Sequence, residues 1–412
     1  MHLIRPFRGL RPLPKRAADV AAPPYDVLST AEASARAAGK PWSFLHISRP
    51  EIDLAPGSDP YAPQVYAKAT ENLQAMLAAR ILERDPEPVY YIYRMVLDDH
   101  TQTGLVCAAS VAEYDSNRIR RHEFTRPDKE DDRVRQIEAL NAQTGPVLMA
   151  YPHAPAVDAL LAQLANGTPV ADVTGEDRVR HTVWTVNSHD AIAGLGAQFD
   201  AMTALYIADG HHRSAAASRV AAARRTQPSR WPTDAHEYFL AVCFPHHEMQ
   251  ILPYNRVVVD LNGLSVLVFE QRLRGAFNVE PAPGPVAPRS RGEFGLYLAG
   301  RWYRLFIHAG LVPVHDPVAR LDVSLLADHL LAPILDIHDL RTDKRIDFIG
   351  GIRGTKALES RVDSGAVAAA FSLHPTDMED LMAVADRGQV MPPKSTWFEP
   401  KLADGLVSHV LD

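Results

Sequence analysis

The chain has 412 residues, 46% of them hydrophobic and 23% charged, and a net charge of −7. This is ample apolar material for packed cores over the length of two or three domains, and the acidic balance excludes wholesale nucleic-acid binding, leaving only a local basic patch for it. Cys107 and Cys243 are the only cysteines, which excludes a disulfide scaffold and a cysteine-rich zinc site and fits a reducing cytosol.

The N-terminal stretch MHLIRPFRGLRPLPKR lacks the apolar segment of a secretory signal, and no apolar run is long enough to span a membrane. The expectation is a cytoplasmic protein. Residues 1–30 are proline-rich and extended. STAEASARAAG predicts a helix capped by Ser29 or Thr30 and closed by Gly39, and YAPQVYAKATENLQAMLAARIL a second, amphipathic one. EPVYYIYRMVL and TGLVCAASVAEY predict a β-hairpin through DDHTQ. A dense charged stretch runs from Arg118 to Glu138. GPVLMAY predicts a strand and APAVDALLAQLANG a helix; HTVWTV and TALYIAD predict strands around the helix SHDAIAGLGAQFD.

HEYFLAVCFP and LPYNRVVVDL predict further strands, and the prolines of VEPAPGPVAPRSRG predict a surface loop or linker over 279–292. Beyond it, EFGLYLAGRWYRLFIH predicts a hairpin, DVSLLADHLLAPILDI an apolar helix, and FIGGIRGTKALESRV a strand, turn and helix. HPTDMEDLMAVADRGQV predicts a helix with a capping box of Thr376 and Glu379 and a stop at Gly388. The class is α+β, with a core region 1–278, a Pro-rich loop or linker 279–292 and a C-terminal α/β region 293–412 that packs on the core.

Four places carry chemistry. In LYIADGHHRSAAASRVAAARR an apolar strand stops at Asp209 and an alanine-rich helix starts at once. A helix start offers unpaired amides and the positive end of the dipole. His211, His212 and Arg213 can donate to phosphate oxygens there, Gly210 lets the backbone approach, and Asp209 could hold a divalent metal. The plainer reading is a tight turn with a capping Asp and solvated histidines. RHEFTRPDKEDDR packs Arg121, His122, Glu123, Lys129 and further charges together. These are the types a phosphoryl-transfer site needs, and equally those of an ion-paired helix start. In MPPKSTWFEPK, Lys394, Ser395 and Thr396 could bind an anion with Lys401 behind, or form a strap pinned by Trp397 and Phe398. Tyr25 and Asp26, with His46, Arg49 and Glu51, could line a pocket or make turns. Of 18 histidines, His211–His212 and His246–His247 are adjacent pairs, which is not a zinc-ligand spacing.

The blocks IRPFRGLRP, APPYDVLS, SFLHISRPEID, RRHEFTRPDKEDDR, HTVWTV, YIADGHHRSAAA, DKRIDFIGG and MPPKSTWFEPK together resemble the DUF1015 family over essentially the whole chain. The string Asp-Gly-His-His-Arg also resembles the phosphate-binding turn of the ParB/sulfiredoxin-like superfamily, and is shared with its free-serine kinases. The resemblance implies a ParB/sulfiredoxin-like nucleotide-binding core with large insertions. It assigns Asp209 to metal or catalysis and Gly210, His211, His212 and Arg213 to phosphates. In the serine kinases a glutamate is the base; Glu123 is the choice here and Glu51 the reserve. The implied activity is a kinase using ATP or ADP with Mg²⁺ on free L-serine. Arg121, Lys129 and Lys394 would neutralise charge, and Tyr25, Asp26, His122 and Glu51 would face the substrate. A homodimer is left open. No cysteine in the turn speaks against sulfiredoxin chemistry, and no basic C-terminal region against DNA partition. A nucleotide-binding switch without turnover and a metal-dependent hydrolase remain as alternatives.

Overall fold

The computed structural model describes residues 2–227, 229–231 and 233–412. Helices and strands are mixed throughout, as the α+β expectation requires. Two compact units divide the chain: Met1–Met249 with Pro400–Asp412, and Gln250–Glu399. No helix among the described residues is long and apolar enough to cross a membrane.

The first unit is built on a nine-stranded mixed sheet. Leu205–Asp209 runs antiparallel to Val147–Tyr151, which lies parallel to Tyr238–Pro245. The hairpin Tyr90–Leu97 and His100–Ser110 continues the sheet antiparallel. Val147–Tyr151 and Tyr238–Pro245 are buried at every residue, as strands covered on both faces must be. Helices Pro155–Leu164, His189–Asp200 and His211–Arg225 send Leu161, Phe199, Ala217 and Ala221 into one core with Tyr90, Ile92, Tyr151 and Phe239 of the sheet. A second core gathers Leu45, Ile47, Ala69, Leu73 and Met76 from the N-terminal helices.

A small sheet in the order Leu82–Arg84, Gly9–Pro12, Ser408–Val410, Ala142–Gln143 stitches the returning segment 400–412 into the first unit. Beside it lies a part-buried ion pair. Arg11 reaches Asp85 at 2.7 Å, Tyr91 Oη donates to the same carboxylate at 2.6 Å, and Gly9 N donates to Tyr91 Oη at 2.9 Å.

The second unit has a six-stranded antiparallel sheet, in the order Phe277–Ala282, Arg301–Ile307, Glu293–Leu298, Ala369–Leu373, Tyr254–Val258, Ile346–Gly350. The proline-rich stretch 279–292 therefore divides nothing. Its first residues finish one strand, and the rest cross to another strand of the same sheet. The units instead change at 249/250 and 399/400.

Several local expectations hold. Ser29 caps Thr30–Ala37 in a full capping box with Glu32, and the hairpins at 90–110 and 293–307 form. Others move. The strand through Cys107 stops at Ser110, whose side chain caps a short helix Val111–Asp115. The helix Met378–Asp386 is capped by Asp377, which accepts from Asp380 N at 2.8 Å, and Thr376 donates instead to the Ser395 carbonyl. An Asp one residue later displaces the Thr because it accepts more strongly. The apolar segment 322–335 is helical but passes through a π-turn at Ala327–Leu331.

Asp85→Ala would leave the Arg11 guanidinium and the Tyr91 hydroxyl without their acceptor. We expect a loss of about 3 kcal/mol in urea unfolding, and a change within error would show that the pair contributes nothing net.

Candidate functional site

The strand Leu205–Asp209 is apolar and buried up to its last residue. Its register against Val147–Tyr151 shifts between Ile207 and Asp209, a bulge that re-aims the Asp209 side chain. Gly210 follows at φ +97°, and a Cβ there would stand 3.1 Å from Arg213 Nε and 3.3 Å from Val147 Cα. Both facts demand glycine. The helix His211–Arg225 then begins, and its alanines have a packing reason. Ala217 and Ala221 lie on the main core, while Ala216 and Val220 face Ile137 and Leu411 in another cluster. Small side chains on both faces let the helix sit between the sheet and the neighbouring helix Pro127–Leu140.

That neighbouring helix also starts at the site. Its N-cap residue, Arg126, donates its backbone N–H to His212 Nε2 at 3.1 Å. Two helix N-termini thus lie side by side; in the second, Pro127 has no N–H and the Lys129 and Glu130 amides bond the Arg126 carbonyl, so the amides on offer are those at the start of the helix His211–Arg225. Since His212 Nε2 accepts, the neutral ring carries its proton on Nδ1 and can donate from there.

Asp209 sits between cations. Lys401 Nζ is 3.0 Å from Oδ2, and an Arg213 Nη is 3.8 Å from Oδ1. Desolvation opposes its charge, but Lys401 and Arg213 outweigh that and hold the carboxyl far below the ordinary carboxylate range. Arg213 also donates to the Pro146 carbonyl and faces Asp26 at 3.7 Å, while its Nε is buried without a partner. Across the turn, His211 and His122 pack edge to face, with ring centroids 4.5 Å apart. Glu123 Oε2 lies 3.6 Å from His211 Nδ1. Burial, then the neighbouring His122, pushes His211 well below its ordinary value, and burial brings His122 down to about 4. The two rings are neutral at physiological pH.

Behind the turn is a small cavity where Tyr25, Ser48, Arg133, Arg213 and Asp404 meet apolar side chains such as Val147 and Phe239. Arg133 stacks on Tyr25 at 3.9 Å. Asp404 is 2% exposed and has one oxygen without a partner. Burial pushes its carboxyl up to about 7, against the pull of Arg213 and with the push of Asp26.

The sequence candidates separate on this geometry. Asp209, Gly210, His211, His212, Arg213, His122, Glu123 and Asp26 are brought together, and Tyr25 lines the adjoining cavity. Glu51, the reserve base, is occupied by Arg49 at 2.7 Å and by Thr30; Arg49 in turn holds the Tyr25 carbonyl, so Glu51 braces the loop rather than facing the turn. Lys129 donates to Tyr61 Oη at 2.6 Å, and Arg121 turns to Tyr114. Lys394, Ser395 and Thr396 belong to the second unit. There the Lys394 carbonyl accepts from Arg256, its ammonium lies over Tyr254, and the buried Ser395 hydroxyl donates to the Pro392 carbonyl. Asp404 escaped the sequence reading, and Lys401 entered it only as a residue behind Lys394. The one local signal for Asp404 is its Asp-Gly turn, with Gly405 at φ +87°.

The family described as "Protein of unknown function (DUF1015)" matches residues 4–324. No curated protein sequence matches the chain. Among solved structures, a free serine kinase in complex with AMP aligns over 72% of this chain and 86% of its own, at 13% identity and TM-score 0.34. SbnI with a C-terminal truncation, from Staphylococcus aureus, aligns over 73% and 85% at 10% identity and TM-score 0.37. A conserved hypothetical protein from Pyrococcus furiosus aligns over 73% and 93% at 13% identity and TM-score 0.35. Likeness at this level bears on neither activity nor ligand.

Gly210→Ala should cost roughly 1–3 kcal/mol in chemical denaturation, because the new Cβ meets both Arg213 and Val147 at a left-handed φ; an unchanged midpoint would mean the turn can relax. Asp404 gives a pH signature. Its folded-state value is raised from 3.8 to about 7, so its stabilisation is complete below the ordinary carboxylate range and is lost as pH rises through about 7. Asn mimics the neutral acid. In thermal melts across that range, Asp404→Asn should gain on the wild type as pH rises, by on the order of 2–4 kcal/mol at the alkaline end. Parallel curves for the two proteins would show that Asp404 is ionised in the fold.

Proposed function

The chain belongs to the DUF1015 family, and from that premise we propose that it is a nucleotide-dependent small-molecule kinase that phosphorylates free L-serine to O-phosphoserine, with ATP or ADP as donor. One observation carries this reading. The bulge and Gly210 place an ionised carboxylate at the joint of two helix starts, with Glu123 facing His211 across the turn. The serine assignment is supported by the Asp-Gly-His-His-Arg string shared with free-serine kinases.

In this reading the amides after Gly210 receive the phosphates. Arg213 and Lys401 supply positive charge, in place of the Arg121, Lys129 and Lys394 suggested by sequence. His211 and His212, both neutral, act as hydrogen-bond donors, His212 from Nδ1. Glu123 takes the proton of the serine hydroxyl as its oxygen attacks the terminal phosphorus. The bond from that phosphorus to the bridging oxygen breaks, and ADP or AMP leaves. Positioning and fixed charge do most of the work.

In this reading Asp209, a carboxylate kept ionised, would hold a magnesium ion together with the phosphates once Lys401 and Arg213, now 3.0 and 3.8 Å from its oxygens, turn to the phosphates. When bound, the ion would neutralise phosphate charge.

The test follows products by ³¹P NMR with Mg²⁺, ATP or ADP, with and without L-serine. A phosphoserine signal that requires both serine and protein supports the kinase. None with either donor removes it, and inorganic phosphate alone would mark a hydrolase. Asp209→Asn should lose most turnover while remaining folded. Glu123→Gln should lower kcat by roughly 10²–10⁴-fold with nucleotide Kd nearly unchanged. Near-normal turnover in either variant would refute that residue's role.

A further inference from the structure

We propose that His153, Asp158 and His247 form a binding site for a borderline divalent cation of the zinc class, at the end of the main sheet remote from Asp209. The strands Val147–Tyr151 and Tyr238–Pro245 are parallel neighbours, with Tyr151 in register with Pro245. His153 comes two residues after the first strand and His247 two residues after the second, so the two chain exits present imidazoles side by side. Their ring centroids are 5.3 Å apart. Asp158 enters from the first turn of the helix Pro155–Leu164. The three candidate ligand atoms all lie within 4.8 Å of one another, and this is the one such group of three found among the described residues.

The surroundings suit an ion. Tyr151 Oη donates to Asp158 Oδ1 at 2.7 Å, which fixes the carboxylate and leaves Oδ2 facing His247 Nε2 at 3.8 Å. A held outer oxygen is how metal-ligating carboxylates are commonly oriented. Metal–ligand bonds of about 2.0–2.2 Å put tetrahedral ligand atoms about 3.3 Å apart, so closure requires movements of at most roughly 1.5 Å. The His247 and Asp158 side chains are 42% and 21% exposed, which leaves an entry path and room for water in the remaining position. Two imidazoles and one carboxylate select zinc, cobalt or nickel over magnesium or calcium, which prefer all-oxygen sets. The ion would clasp the segments that follow two adjacent strands. The site is separate from the cradle: Asp209 pairs with Leu148, near the start of the strand that ends at Tyr151.

The test uses the full chain, stripped with a chelator and titrated with Zn²⁺ against a chromophoric indicator. We expect one equivalent bound at micromolar or tighter affinity, weakened at least about tenfold in His247→Ala and in Asp158→Asn. His153→Gln, an exposed change, should weaken it likewise, and Asp209→Asn should leave it unchanged. Zn²⁺ should raise the Tm of the wild type and not that of His153→Gln. Equal binding by wild type and all three site variants, or no stoichiometric binding, overturns the proposal. Since the readout is metal binding, it stands or falls independently of kinase activity.

Discussion

Asp209 must stay charged at the end of a strand whose other residues are buried, and the rest of the site follows from how that charge is met. Arg213 comes from the first turn of the helix that follows Gly210. Lys401 comes from a segment that returns to the first unit after the whole of the second. Gly210 must be glycine because the Arg213 side chain fills the space where a Cβ would sit. Helix His211–Arg225 must be alanine-rich because it is packed on both sides while holding Arg213 there. The segment 400–412 must be fixed too, and it is: Ala22 and Asp404 exchange backbone hydrogen bonds, and Ser408–Val410 pairs with two strands.

The charges that remain explain what kind of anion the turn could accept. Its histidines are neutral, so they add direction and no charge. Arg213 and Lys401 already face Asp209, and Arg213 also faces Asp26. A bare polyphosphate would bring several negative charges to cations that are largely compensated. A nucleotide carrying its own dication would bring far fewer, which is the form of donor the proposed kinase reading calls for.

What could be read from sequence was what is local. Asp209 to Arg213 and the alanines after them are consecutive, so the strand, the left-handed turn and the helix start all follow from adjacent residue types. Glu123 was chosen by type, and the structure puts it opposite His211. Direction was not legible. Lys129 and Glu51 lie in charge-rich stretches, and only packing shows that one turns to Tyr61 and the other to Arg49. Nor were long-range partners: nothing near Lys401 or Asp404 announces Asp209 or Arg213, about 190 residues earlier in sequence. The prolines of 279–292 left loop and linker open, because a crossing between strands of one sheet uses the same turn chemistry as a linker, and only the strand pairing selects the loop.

The first unit is interrupted in sequence, since residues 250–399 form the second unit before the chain comes back. During synthesis, the strand, turn and helix around Asp209 therefore emerge from the ribosome long before Lys401 and Asp404 exist. Until then Asp209 has only Arg213 to balance it, and the small sheet lacks the strand Ser408–Val410. A nascent or prematurely terminated chain holds every residue of the Asp-Gly-His-His-Arg turn and still lacks the counter-charge that sets its electrostatics. The electrostatics of the turn are therefore complete only once translation has passed through the second unit.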